Sequence, residues 1–257
     1  MRSASGTAAD PALAIRAVQP APALDRFVAL PFGLYRADPL WVPPLRSALA
    51  AELKKWRSPA FEGGRMELFL AWRNGRPVGR IAAIRNRAHN VHHGDRLGFF
   101  GYFEAAPDAA AAAALLEAAK AWLREQGLEA MRGPMSPSIN GEVGFLSDGF
   151  EAPPVLLTPH NPPFYTELVE AAGLSRHKEL LAYRVFQAEL TGALESVARL
   201  ERLADAVRKR HPGLRVRCLD MGRYEQETAR LNQIFNQARR GNWSFVPVAA
   251  EEMAALA

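Results

Sequence analysis

One cysteine, Cys218, among 257 residues leaves this chain no intramolecular disulfide, which excludes the stapled small-domain class of secreted proteins. No apolar run reaches the roughly 20 residues that cross a bilayer, and Met1 to Asp10 lacks the apolar core of a signal peptide. Lys and Arg outnumber Asp and Glu by 32 to 27, yet no basic run is dense enough to mark a nucleic-acid surface. The expectations are cytoplasmic residence, no membrane and no nucleic-acid partner. With 49% hydrophobic residues the chain is too apolar to stay disordered, and its length suits one large domain or two small ones. Cys218 lies in the alternating phrase LRVRCLD, where a small buried strand residue is expected rather than a nucleophile.

What is present is a regular alternation of strands and helices. Residues 1–10 are small and polar, and are expected to be disordered. Leu13 to Val18 reads as a strand. Ala23 to Tyr35 carries Leu24, Phe27, Val28, Leu30 and Leu34 at helical spacing, with Pro31 predicting a kink or break. Leu45 to Trp56 is a second helix. Met66 to Phe103 supplies three strands, the first two joined by an Arg73-Asn74-Gly75 turn between apolar runs, which predicts an antiparallel hairpin. Asp108 is a good N-cap for a helix that ends at Gly127. Further strands are expected at Leu128 to Arg132, Pro154 to Thr158 and Glu179 to Phe186, with a helix over Pro162 to Ala172. A mixed α/β sandwich follows, its sheet mostly antiparallel and flanked by helices.

The tail reads as a fresh start. An amphipathic basic helix over Leu194 to Arg210 precedes a strand at Leu214 to Leu219, a helix at Tyr224 to Arg239 and the loop GNWSFVP. One constant offset pairs Phe27 with Leu231, Leu30 with Ile234, Trp41 with Phe245, Val42 with Val246, Pro43 with Pro247 and Leu49 with Met253. The expected organisation is therefore a module over 11–190 and an incomplete second one over 191–257. A homodimer or tandem-domain contact is the assembly this suggests.

The phrases GRPVGRIAAIRN, GFFGYFE, AWLREQG, RGPMSPSINGE and HNPPFYTELVEAAGL resemble an uncharacterised bacterial family of the GNAT (N-acetyltransferase-like) superfamily. That resemblance implies the GNAT fold and acyl transfer from acetyl-CoA or another acyl-CoA to a small-molecule amine. It also implies a pyrophosphate site at the strand-to-helix turn, where backbone from Phe103, Glu104 and Ala105 to Asp108, Ala109 and Ala110 would meet the donor. In the superfamily this turn usually reads Arg/Gln-x-x-Gly-x-Gly/Ala; here it is FEAAPDAAAAA, with no glycine and with Asp108 at the helix end that should receive a phosphate. The superfamily's late-helix tyrosine, a general acid, is matched by Tyr165, one helical turn earlier than the usual position, which falls on Val169.

Other candidate residues come from loops that follow core strands. Glu142 could serve as a base toward an amine and Asn140 could orient it, with Ser136, Ser138, His160 and Asn161 lining a pocket; local turn bonding accounts for the same residue types equally well. The phrase HNVHHGD spaces His89, His92, His93 and Asp95 poorly for a metal and reads as a solvated turn. Two other function classes stay open: a GNAT-shaped binding or assembly module that has lost CoA, and a FemABX-like aminoacyl transferase.

Overall fold

A computed structural model describes residues 13–19, 21–58, 61–184, 194–250 and 253–254. The expected disordered start and the last two residues of the strand expected at Glu179 to Phe186 lie outside them. The chain divides into two compact units, Met1–Arg176 with Asn242–Val246, and His177–Gly241 with Pro247–Ala257.

In the first unit β1 (Leu13–Ala17) is followed by α1 (Ala21–Leu34), α2 (Arg46–Arg57), β2 (Gly64–Arg73), β3 (Arg76–Asn86), α3 (Arg87–His93), β4 (Leu97–Ala105), α4 (Ala109–Glu125) and β5 (Ala130–Arg132). A two-stranded ribbon, β6 (Met135–Ser136) with β7 (Glu142–Val143), and α5 (Tyr165–Ala171) complete it. The main sheet runs β1-β2-β3-β4-β5, antiparallel except for the parallel β4–β5 pair. This is the architecture that the sequence pattern predicts: a mixed, mostly antiparallel sheet with helices on both faces.

Period-2 alternation explains why both faces are covered. Along β3, Ile81 and Ala83 pack with Leu115, Leu116 and Val169 on the α4–α5 side, while Ala82 and Ile84 pack with Phe27, Leu53 and Trp56 on the α1–α2 side. The alanine run does more than favour helix: Ala111, Ala112 and Ala119 are fully buried, and their small side chains let α4 lie close to the sheet. At Gly79 an added Cβ would press on Leu115 and on the Glu104 carbonyl, so glycine is required by close approach.

Several expectations are corrected. Pro31 does not break α1, which continues to Leu34. Residues Pro154 to Thr158 form a turn closed by Thr158 N–H to Val155 O at 3.1 Å; Pro153 and Pro154 have no N–H to give a ladder. The described part of Glu179 to Phe186, residues 179–184, is exposed and without strand pairing, and so is Leu214 to Leu219, with Val216 98% exposed. Alternation alone does not make a strand when no neighbouring strand offers hydrogen bonds. Cys218 is accordingly exposed, not buried. The histidine segment is the helix α3 rather than a solvated turn: Asn86 caps it by accepting from the His89 N–H, and His89 is buried beside Phe99.

In the second unit, α6 (Leu194–Arg210) and α7 (Tyr224–Ala238) form where the periodicity predicts helices. The Asn236 side chain bonds both main-chain groups of Val248, tying the loop after α7 back to that helix.

Candidate functional site

Pro31 sets up the site from a distance. A proline has no N–H, so the Phe27 carbonyl four residues earlier loses its intrahelical donor. Arg80, on β3, supplies the replacement: its Nη1 donates to Phe27 O at 2.9 Å, and its guanidinium lies 5.0 Å from the Phe27 ring centre. Arg80 is in phase with Ala82 and Ile84, which sends a cation into the α1–α2 core, where it is 4% exposed. Its Nη2 lies 3.5 Å from Glu104 Oε1.

Glu104 is the centre of a buried polar cluster. Its Oε2 accepts from the Tyr35 hydroxyl at 2.7 Å and from the Tyr165 hydroxyl at 2.9 Å. The Tyr165 oxygen in turn accepts from the Ala105 N–H at 2.9 Å. Burial lifts the Glu104 carboxyl above the ordinary range, against the pull of Arg80 and the two tyrosines. Burial and Glu104 together push both tyrosine hydroxyls up, so each stays a proton donor.

A bulge in β4 brings this cluster to an edge. Gly101 pairs with Ala82 and Glu104 with Arg80, so Tyr102 and Phe103 stand opposite Ile81 alone. Tyr102 takes φ +49, its N–H donates to Ser136 Oγ at 2.9 Å and its hydroxyl to Glu52 at 2.7 Å. Pairing of β4 with β5 ends at Phe99 and Arg132, and the β6–β7 ribbon takes over beside the bulge, where an added Cβ on Gly101 would strike the Met135 carbonyl. The ribbon pairs Ser136 with Glu142. Glu142 is exposed as a residue, yet partial desolvation of its carboxyl by the surrounding ribbon and sheet, with the charge of Glu104 and against the pull of Arg80, pushes it up to about 7. One arginine thus faces two carboxylates.

His160 joins from the other side. Its Nε2 lies 2.8 Å from Asp38 Oδ2 and its ring meets Tyr35 edge-on at 5.7 Å. The predicted residues therefore separate into groups. Glu104, Glu142, Tyr165 and His160 surround one polar cluster. Phe103 is a core ring packed on Tyr165 and Phe145. Asn161 spends its amide on the Leu146 N–H and carbonyl and on Pro162 O, clipping two loops together. Ser138 and Asn140 meet in a local turn in which the Asn140 N–H donates to Ser138 Oγ at 3.3 Å. Sequence reading missed Tyr35, Asp38 and Arg80.

The first turn of α4 is differently furnished. Asp108 accepts from the Ala111 N–H at 3.0 Å and forms a two-pronged pair with Arg73, Nε to Oδ2 at 2.6 Å and Nη2 to Oδ1 at 3.1 Å. Partial burial opposes ionisation there, yet Arg73 and the helix N–H groups hold the carboxyl below its usual range. Ala109 and Ala110 are exposed on the same turn. An anion is already in place with its countercharge, so this turn does not fit the pyrophosphate of a CoA donor. Among the described residues no group of three or more His, Cys, Asp or Glu is placed to hold a metal, and no helix is long and apolar enough to cross a membrane.

No protein-family model matches the chain. It is 35% identical over 233 residues to Protein YghO of Escherichia coli strain K12, covering 91% of this chain and 58% of that protein. It is 38% identical over 236 residues to the bacterial ceramide synthase of Caulobacter vibrioides, covering 91% and 59%. The chain thus spans under two thirds of the length of either relative. Solved structures with some likeness include an aminoglycoside acetyltransferase from a soil metagenome, at TM-score 0.43 and 10% identity over 69% of this chain and 97% of that one. Another is an aminoglycoside N-acetyltransferase in complex with CoA, at TM-score 0.40 and 16% identity over 67% and 94%.

Proposed function

We propose that this chain carries the site of an N-acyltransferase that joins an activated fatty acyl group to the amine of a long-chain amino alcohol. The observation that carries the reading is the Arg80–Glu104–Tyr35–Tyr165 cluster at the β4 bulge, with Glu142 at its edge pushed up to about 7. A base poised near neutrality is what an ammonium substrate needs, because the amine must shed a proton before it can attack a carbonyl. Glu142 takes that proton. Tyr165, bridging Glu104 and the Ala105 N–H, is the group from which a leaving group draws a proton once the bridge opens. Holding amine and acyl carbon together supplies much of the remaining rate enhancement.

The acceptor class rests on two supports. A relative bears the name ceramide synthase, and a ceramide is an N-acylated long-chain amino alcohol. The loop just before His160 also exposes Val155, Leu156 and Leu157 to solvent in sequence, an apolar landing for an alkyl chain. The carrier of the acyl group is not assigned to the α4 turn, which Asp108 and Arg73 fill.

Incubating the full chain with sphinganine and palmitoyl thioesters of CoA, pantetheine and acyl carrier protein, then measuring amide by mass spectrometry, tests the reading. Amide with one donor or more is expected; none with any donor overturns it. The Asp108–Arg73 pair favours a second reading, a binding module without donor contact. That reading would leave sphinganine bound, by calorimetry, and unreacted.

A further inference from the structure

His160 has one ring nitrogen engaged and the other unbonded among the described residues. Nε2 meets Asp38 Oδ2 at 2.8 Å, while Nδ1 is buried and has no hydrogen-bond partner among the described residues. The side chain is 9% exposed. Asp38 is itself held: its Oδ1 accepts from the Leu40 N–H at 2.9 Å. The bond from His160, with the Leu40 and Trp41 N–H groups, keeps the Asp38 carboxyl below its usual range. An ionised Asp38 requires the proton on Nε2, and the free lone pair of the imidazole is therefore on Nδ1. A buried acceptor without a donor costs stability, and it persists where a ligand supplies the missing hydrogen.

We infer that His160 is a catalytic base of this site, acting through Nδ1, with Asp38 as its positioning residue. The inference rests on the N-acyl transfer reading above. An ammonium acceptor releases two protons on its way to an amide, and a single carboxylate serves only the first. As the amine nitrogen bonds to the acyl carbon, its second proton passes to His160 Nδ1, and the imidazolium is stabilised by Asp38. The bond from the acyl carbon to the leaving group breaks, its electron pair leaving with that group, which is protonated by Tyr165 or solvent; His160 then returns its proton to solvent. The groups that bear on His160 are Asp38 from the loop after α1, Tyr35 at the end of α1 and, by charge, Glu104 of β4.

The test is the kcat/KM pH profile for amide formation by wild type, His160→Gln and Asp38→Asn, together with ¹⁵N NMR of the histidine ring nitrogens in the wild-type chain with sphinganine alone. His160→Gln should lower kcat/KM about a hundred-fold or more and remove one ionisation from the acid limb. Asp38→Asn should lower it by a smaller factor and shift that ionisation. The NMR spectrum should show an Nε2–H tautomer whose Nδ1 signal moves when the amine is added. Amide from wild type and His160→Gln at equal rates overturns this inference alone, and no amide from wild type overturns the function reading with it. An Nδ1–H tautomer, or an Nδ1 signal that ignores the amine, overturns the inference without any variant.

Discussion

Glu104 and Asp108 stand four residues apart on either side of the turn that leaves β4, and their surroundings could hardly differ more. Asp108 faces partly into solvent, bonds the first turn of α4 and is matched by Arg73, so its charged form is favoured. Glu104 is enclosed by two tyrosines and Arg80, and burial disfavours its charge. Two carboxylates pushed in opposite directions suit different jobs: the outer one caps the helix, and the inner one is the group around which the proposed proton chemistry is built. A donor's phosphates are expected where the outer one sits, yet the perturbed groups gather around the inner one.

The comparison breaks hardest at Arg80. Arg80→Met should strip Glu104 of its buried cation and cost about 3–5 kcal/mol in urea unfolding; a loss under ~1 kcal/mol would show that Glu104 is already neutral. Tyr165→Phe comes next, with a loss of about 1–3 kcal/mol in the same measurement, because the Ala105 N–H and Glu104 each lose a partner. Asp108→Ala should cost about 1 kcal/mol, the worth of an N-cap. It should also let the α4 turn bind CoA more tightly than wild type by calorimetry; unchanged affinity would mean that Asp108 is not what keeps phosphate out.

The smallest effect is in the pH dependence of the melting temperature. Asp108 is depressed in the fold, so the stability it contributes is present above its unfolded value and is lost as pH falls through its folded value, which lies under the ordinary carboxylate range. Glu142 is raised to about 7, so its contribution is complete below its unfolded value and is lost as pH climbs through about 7. Glu142→Gln should therefore flatten the decline in melting temperature between about pH 5 and 8; an unchanged slope would place Glu142 in open water.

Much of the first unit was legible because its signals are local. The Arg73-Asn74-Gly75 turn fixed the β2–β3 hairpin, and Asn74 and Gly75 both take positive φ there. Asp108 and Gly127 bracket α4 as their chemistry predicts. Strands that depend on a distant neighbour were not legible, as Leu214 to Leu219 shows. Displaced by the offset of the internal match, α1 falls within one residue of α7 at each end. Yet Phe27 is fully buried, whereas its counterpart Leu231 is 39% exposed. Periodicity records which face can be buried; only tertiary structure decides whether it is.

The site was half legible for the same reason. Glu142, Tyr165 and His160 lie in one Pro- and Gly-broken stretch that draws attention to itself. Their partners Tyr35, Asp38 and Arg80 are spread along the chain, Asp38 and His160 being 122 positions apart. A signal was there for Arg80: a charge on the inward parity of an otherwise apolar strand needs a buried partner.

Pro31, buried in α1, is a tuning point for the chemistry proposed at the cluster on the facing strands. Any residue with an N–H at this position would compete with Arg80 for the Phe27 carbonyl, and a guanidinium freed from that anchor could swing toward either carboxylate. Variation at a helix proline is thus a way to retune the proton affinities of Glu104 and Glu142 while leaving every residue that lines the site untouched.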